Sequence, residues 1–334
     1  MTKRVLLWVS VVLAVSAAQA IEIELVPVGN PGNAADDQVM DDGTSGYGAV
    51  DYAFQIGKYE VTAEQYSAFL NDVAKTDPYG LYNPRMWSDV WSGGRIHRSG
   101  EEGDYSYTVA PGSENQPVSY VGWGDAARFA NWLHNGRPTG PQDATTTEEG
   151  AYSLNGATTA EALMGVTRNP NAIWWLPSED EWYKAAYHAN DGATGNYWDY
   201  PTGTNSTPSN KLIEPDPGNN ANFSQGGTTT IADPFPTTLV GEFENSGSPY
   251  GTFDQGGNLW EWNDSAIDDS SRGVRGGNWG TGADSMRAFF RGYAEPTIEG
   301  FGIGFRVATI PEPGAAVLLF CVVAVGLVYR QRRR

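Results

Sequence analysis

Cysteine and histidine, the residues most used for thiol, redox and acid–base chemistry, number one and three in this 334-residue chain. The single cysteine, Cys321, sits inside a C-terminal apolar run. That excludes disulfides, CxxC redox chemistry, cysteine-built zinc sites and a soluble cysteine nucleophile. His97, His134 and His188 show neither HxxH nor HExxH spacing and read as surface or loop residues. No G-x-S-x-G elbow marks a serine nucleophile. Carboxylates are the opposite case: among 40 Asp and Glu, pairs suited to acid–base work can always be found, so their abundance carries nothing without geometry. The composition favours oxygen ligation instead. Calcium takes roughly six to eight carboxylate, amide and carbonyl oxygens, and an acidic chain without disulfides suits such a staple. The run Asp36, Asp37, Asp41 and Asp42 has the residue types but neither the EF-hand spacing nor its closing Glu. It reads as a solvated loop.

The elements that must position any site are short. With 41 Gly and 20 Pro, the pattern predicts brief strands, long loops and few helices. The first helix begins after Thr62, where Thr62-Ala63-Glu64-Gln65 forms a capping box and Tyr66, Phe69, Leu70 and Val73 recur at helical spacing. A second runs from about Trp123 to Leu133, with Asp125 in its first turn, where the helix dipole favours a carboxylate. A third follows Trp175-Leu176-Pro177, capped by Ser178 with Glu181 closing the box. No repeat of fixed period suggests a propeller or solenoid. With 12 Trp, 17 Tyr and 12 Phe there is ample apolar area for a folded core.

The ends carry an address. Residues 1–20 open with Lys3 and Arg4, run apolar from Val5 to Val15 and close on Ala18-Gln19-Ala20, which reads as a secretory signal peptide, the alternative being a retained anchor. Between residues 21 and 310 lie 15 of the 21 Lys and Arg and all acids but Glu312. So acidic a middle excludes a nucleic-acid binder resting on a basic surface. Residues 311–334 comprise Pro311-Glu312-Pro313, an apolar run from Ala315 to Val328 that is short for a span, and Arg330, Arg332, Arg333 and Arg334, which place that end in the cytoplasm. This order closely resembles the PEP-CTERM sorting signal of Gram-negative bacteria. The resemblance implies processing by an exosortase-type sorting enzyme after transient membrane anchoring, and delivery to the outer surface or extracellular matrix. A permanent tail anchor is the alternative.

The middle carries Gly57-Lys58-Tyr59-Glu60-Val61-Thr62, Gln116-Pro117-Val118, Trp175-Leu176-Pro177-Ser178-Glu179-Asp180-Glu181-Trp182, Gly257-Asn258-Leu259-Trp260-Glu261-Trp262, Arg275-Gly276-Gly277-Asn278-Trp279 and Gly302-Ile303-Gly304-Phe305-Arg306. In this order the fragments resemble the sulfatase-modifying-factor family, that of the formylglycine-generating enzymes. The resemblance implies an α+β single domain of variant C-type-lectin-like fold over residues 21–310, low in regular secondary structure, with surface excursions near 80–115 and 138–170. On the residues alone, Trp260, Trp262, Trp279 and Phe305 are core aromatics, and Gly256, Gly257, Gly276 and Gly277 permit backbone shapes or close packing. Arg275 and Arg306 are expected to pair with carboxylates such as Glu261 or Glu181.

The resemblance further implies two structural calcium sites. One would use the side chains of Asn222 and Asp233 with the carbonyls of Phe223 and Phe235. The other would use Asp254 and Glu261 with the carbonyls of Gly257 and Leu259. The family's copper-binding cysteine pair aligns with Thr281 and Met286, neither of which can be a thiolate, so copper binding and oxidation of a substrate cysteine to formylglycine are not expected. Two readings stay open. One is a non-catalytic extracellular module binding peptide or glycan, with Trp87, Trp91, Tyr105 and Tyr107 either forming the contact face or packing onto the core. The other is an oxidase of the same family with altered chemistry, in which Thr281, Met286, Arg287 and Arg291 converge in a pocket.

Overall fold

A computed structural model describes residues 21–89, 91, 94–231 and 236–311. The expected signal peptide and the apolar tail lie outside these residues. Among the described residues, no helix is long and apolar enough to cross a membrane.

In chain order the elements are β1 (Leu25–Val28), β2 (Phe54–Gly57), α1 (Ala63–Val73), α2 (Arg85–Ser88), β3 (Ile96–Ser99), β4 (Ser106–Val109), α3 (Trp123–His134), α4 (Ala160–Met164), β5 (Trp174–Trp175), α5 (Glu179–Tyr187), β6 (Trp260–Ala266), β7 (Arg272–Arg275), β8 (Gly292–Ala294), β9 (Ile303–Phe305) and β10 (Ala308–Thr309). The helices expected from periodicity form as α1, α3 and α5. Thr62 and Ser178 cap α1 and α5 with complete boxes. At α3 the N-cap is Gly122, and the Asp125 carboxylate supplies the cap by accepting from the Gly122 amide at 2.9 Å. The short helices α2 and α4 had no readable periodicity, since a single turn cannot display one.

An antiparallel sheet in the order β1-β2-β10-β5 ties the first strand to the last. The second sheet, β8-β7-β6-β9, is antiparallel except where β6 and β9 run parallel. Between them α1 and α3 bury an aromatic cluster in which Phe129 meets Phe69 and Phe305 edge-on, both at 5.3 Å between ring centres. The segments expected as surface excursions are more than that. Leu81, Met86, Ile96 and Tyr107 from one, and Ala151, Tyr152 and Leu163 from the other, are buried in the same core. Their apolar residues are sparse in sequence, but each has a partner across the fold. Asp36, expected in a solvated loop, is buried and accepts from the Tyr183 hydroxyl at 2.7 Å.

Candidate functional site

The last three motif fragments enter or leave the second sheet, at β6, β7 and β9. Strand β7 is followed by Gly276-Gly277, both in the left-handed region, and a Cβ on Gly276 would lie 2.6 Å from the Gln255 carbonyl. That reversal starts the turn holding Thr281. The Thr281 hydroxyl accepts from the Asn278 amide at 2.9 Å and donates to the Asn278 carbonyl at 3.0 Å, so its proton is held within its own turn. Met286 is fully buried in a small cluster with Tyr200, Ala221 and Phe223. Met286 is closed off from solvent, and Thr281, partly buried, is tied to its own turn.

The arginines expected to converge with them do structural work instead. Arg287 pairs with Asp199 at 3.2 Å, and its guanidinium lies over the Phe289 ring at 4.9 Å. Arg291 forks onto Glu179 and reaches Asp42 at 2.8 Å. Burial alone would raise Asp42, but hydrogen bonds from Thr44 and Arg291 outweigh it and hold the carboxyl at about 2. Arg275 also binds Glu179, at 2.7 Å, rather than Glu261 or Glu181. Arg306 does take Glu261, as expected, through two contacts of 2.6 Å with both side chains fully buried. Among the described residues the side chains of Thr281, Met286, Arg287 and Arg291 are each engaged with partners outside this group.

On the surface beside this turn, Trp91 stacks on Trp279 at 5.4 Å with planes 10° apart, and Trp279 also meets Phe301 at 5.8 Å. Trp87, Trp91 and Phe301 are exposed, while the indole nitrogen of Trp279 is buried without a hydrogen-bond partner. Tyr107 does not belong to this face, because it is buried and donates to the Ala74 carbonyl at 2.7 Å. Tyr105 is partly buried under the Arg98 guanidinium, 4.3 Å from its ring centre. Of the expected contact residues, Trp87 and Trp91 are the ones presented to solvent. Trp262 and Phe305 are fully buried and Trp279 nearly so, as core aromatics should be; Trp260 is only partly buried.

The expected calcium ligands fall into two groups. Asn222 donates to the Pro236 carbonyl at 2.8 Å and to Asn258 at 3.1 Å, leaving its side-chain oxygen buried without a partner. An orphaned amide oxygen is what a hard cation would satisfy. The Phe223 carbonyl beside it accepts from Asn210, whose own side-chain oxygen is likewise orphaned. Asp233 and Phe235 lie outside the described residues. In the second group, Glu261 already accepts from Arg306 on both oxygens and from the Trp182 indole at 2.8 Å, which leaves one lone pair on Oε1. Asp254 accepts from the Gly241 amide at 2.6 Å, and burial pushes its carboxyl up to about 6. Gly257 stands in the left-handed region, and a Cβ there would fall 2.1 Å from the Asn222 carbonyl, which locks the two groups together.

Sequence reasoning missed two members of this assembly. Buried Glu60 accepts from Asn258 at 2.9 Å and from the Leu259 amide at 3.1 Å, and its carboxyl is pushed well up by burial and then by Asp254 and Glu261. Asn258 links it to Asn222 and Thr238. Both stand inside quoted motifs, so the available signal was a polar residue within an apolar fragment. Glu60, Asp254 and Glu261 thus surround one guanidinium, and the upward shifts of Glu60 and Asp254 record the cost of holding three carboxyls around a single positive charge. The donor chemistry of both groups fits a hard cation. Among the described residues no cluster of three or more His, Cys, Asp or Glu side chains has metal-holding geometry, so any ligation would lean on amide and carbonyl oxygens. The histidines stay apart. His97 packs against Trp87, His134 accepts from the Ile173 amide, and His188 is buried against Tyr250, not on the surface.

Residues 25–310 match the family model of the sulfatase-modifying factor enzyme 1-like domain, and the chain belongs to that family. Its fold is the family's C-type-lectin-like one, mixed α/β with few helices and small sheets. The solved structure of Treponema denticola variable protein 1 superposes with a TM-score of 0.51 at 20% identity, covering 86% of this chain and 95% of that one. CarF gives a TM-score of 0.48 at 18% identity over 87% of this chain and 99% of its own. PvdO from Pseudomonas aeruginosa gives 0.44 at 21% identity over 86% and 92%. Curated protein sequences give no match.

Proposed function

We propose that this chain is an exported, non-catalytic member of its family that acts as an extracellular binding module. The observation that carries the reading is the state of Thr281 and Met286: one hydroxyl closed within its own turn, one thioether buried in an apolar cluster, and no thiol among the described residues. Copper(I) chemistry needs exposed soft ligands, and these residues supply none. The ligand, a peptide or a glycan, docks on the exposed rings of Trp91 and Phe301, which both pack on Trp279 and give contact area at low entropic cost. Calcium supports the scaffold. Asn222 and the Phe223 carbonyl contribute to one site, and Asp254 with the carbonyls of Gly257 and Leu259 and the remaining Glu261 lone pair contribute to the other. Export rests on the sequence of the ends: a cleaved leader, then a PEP-type tail that anchors the chain until an exosortase-type enzyme releases it to the outer surface.

The test is direct. Full chain in mild detergent is incubated aerobically, with and without copper, with a peptide carrying the Cys-x-Pro-x-Arg sulfatase motif, and the peptide mass is followed. No change is expected. Conversion of the cysteine to an aldehyde above the protein-free control would overturn the non-catalytic reading.

A further inference from the structure

A cavity of about 430 Å³ opens beside the first sheet, within the size range of small-molecule sites, and shares no lining residue with the Trp279 face or the calcium groups. Its walls include Tyr52, Arg168, Asn169, Ala172 and Trp175. One buried carboxylate organises them. Fully buried Glu181 accepts from the Tyr52 hydroxyl, from Arg168 Nη1 at 3.0 Å on each oxygen, and from the Trp175 indole at 3.0 Å. Arg168 is held a second time by its guanidinium lying 5.0 Å over the Trp175 ring. Three wall residues are therefore fixed before anything binds, which removes most of the ordering cost of recognition.

What these fixed groups leave open defines the occupant. Tyr52 is 46% exposed as a residue although its hydroxyl is pinned, so an aromatic side chain is offered at the cavity wall. Arg168 spends Nη1 on Glu181 and directs Nε towards Asp264 at 3.8 Å, which leaves Nη2 without a hydrogen bond among the described residues. The next residue, Asn169, spends its amide nitrogen on the Gly150 carbonyl at 2.9 Å and leaves its side-chain oxygen free. An unpaired donor and an unpaired acceptor thus stand on consecutive residues near an aromatic face. An anion gains little here, because Glu181 already neutralises Arg168 and the chain carries a net charge of −19. A cation would meet the guanidinium. A purely apolar ring would desolvate the free donor and acceptor without replacing their hydrogen bonds. Strand addition by a peptide is blocked along β5, whose flanking amides at Ile173 and Leu176 already donate to His134 and the Tyr152 hydroxyl, both at 3.0 Å.

We propose that this cavity binds a neutral sugar unit, one pyranose ring laying its C–H face on Tyr52 while neighbouring hydroxyls accept from Arg168 Nη2 and donate to Asn169 Oδ1. Each sugar hydroxyl both donates and accepts, so a pair of ring hydroxyls can satisfy a donor and an acceptor that line the same cavity. The site is independent of the binding face proposed above.

Calorimetric titration of the full chain with cellobiose, maltose, mannobiose and N,N′-diacetylchitobiose tests this, with a proline-rich decapeptide as the competing class. At least one saccharide is expected to bind with a Kd of about 1 mM or tighter. Tyr52→Ala, which removes the face, and Ala172→Trp, which fills the cavity, should each weaken that binding by at least about tenfold, while Tyr52→Trp retains it. Thermal melts show which variants are folded, and Ala172→Trp stands in should Tyr52→Ala melt early, because it leaves the Glu181 contacts intact. Failure of every saccharide to bind, saccharide binding indifferent to both blocking variants, or binding of the decapeptide alone would each overturn the proposal.

Discussion

Arg306 and Glu261 meet with neither side chain exposed, and the same guanidinium donates to the Gly57 and Phe253 carbonyls at 2.9 and 2.8 Å. Its removal leaves Glu261 charged in a dry interior. Arg306→Ala is therefore expected to cost about 3–5 kcal/mol in denaturant unfolding, most of it from the stranded carboxylate. Asp125 shows the opposite electrostatic sign. Burial first, and then Glu299, push its carboxyl up to about 8, against the help of the Gly122 amide and Arg128. A carboxyl raised above its ordinary 3.8 favours the folded state while protonated, so its contribution is whole below 3.8 and is lost as pH rises towards 8. Melting temperature measured across that window should fall less steeply in Asp125→Asn than in the parent. An equal slope in the two proteins would show that Asp125 does not carry the effect.

At the scale of elements, the reversal after β7 decides what the motif can do. Gly276 combines a φ of +98° with a backbone oxygen where a Cβ would go, and no flexible side chain is there to yield. Gly276→Ala should destabilise by more than about 2 kcal/mol and disturb the Thr281 turn, read by denaturant unfolding and by loss of protection at the Thr281 and Asn278 amides. Helices α1, α3 and α5 were legible because capping residues and periodic aromatics are local signals. The burial of residues near 80–115 and 138–170 was not, because it depends on α1 and α3 lying across the chain from them. The same limit explains the Arg275 partner. Glu179 and Glu181 stand two residues apart on α5, and only the packing of that helix turns the first towards Arg275 and the second towards Arg168.

For the whole molecule, the calcium proposal has a thermodynamic reading. A cation bound only by the folded state stabilises it by mass action, by about 2.7 kcal/mol at a free concentration a hundredfold above Kd. Chelation with EDTA is expected to lower the melting temperature by several degrees, and added calcium to restore it, while magnesium, which demands a stricter geometry, should not. Unchanged melting under chelation would remove both sites. The first sheet joins β1 to β10, so loss of either stabilising centre should unfold the chain cooperatively rather than free one end.

The sequence by itself determined the family, the principal helices and the absence of a thiol site, because residue identity, capping and motif order are properties of the chain read along its length. Tertiary structure alone decided that Thr281 is closed in its own turn, that Met286 is packed away, and that Glu60 joins Asp254 and Glu261 around one arginine. It also made a cavity from Tyr52, Arg168 and Trp175 by way of Glu181. Burial and hydrogen-bond satisfaction depend on partners far apart in sequence, and composition cannot show which of many carboxylates will find which partner.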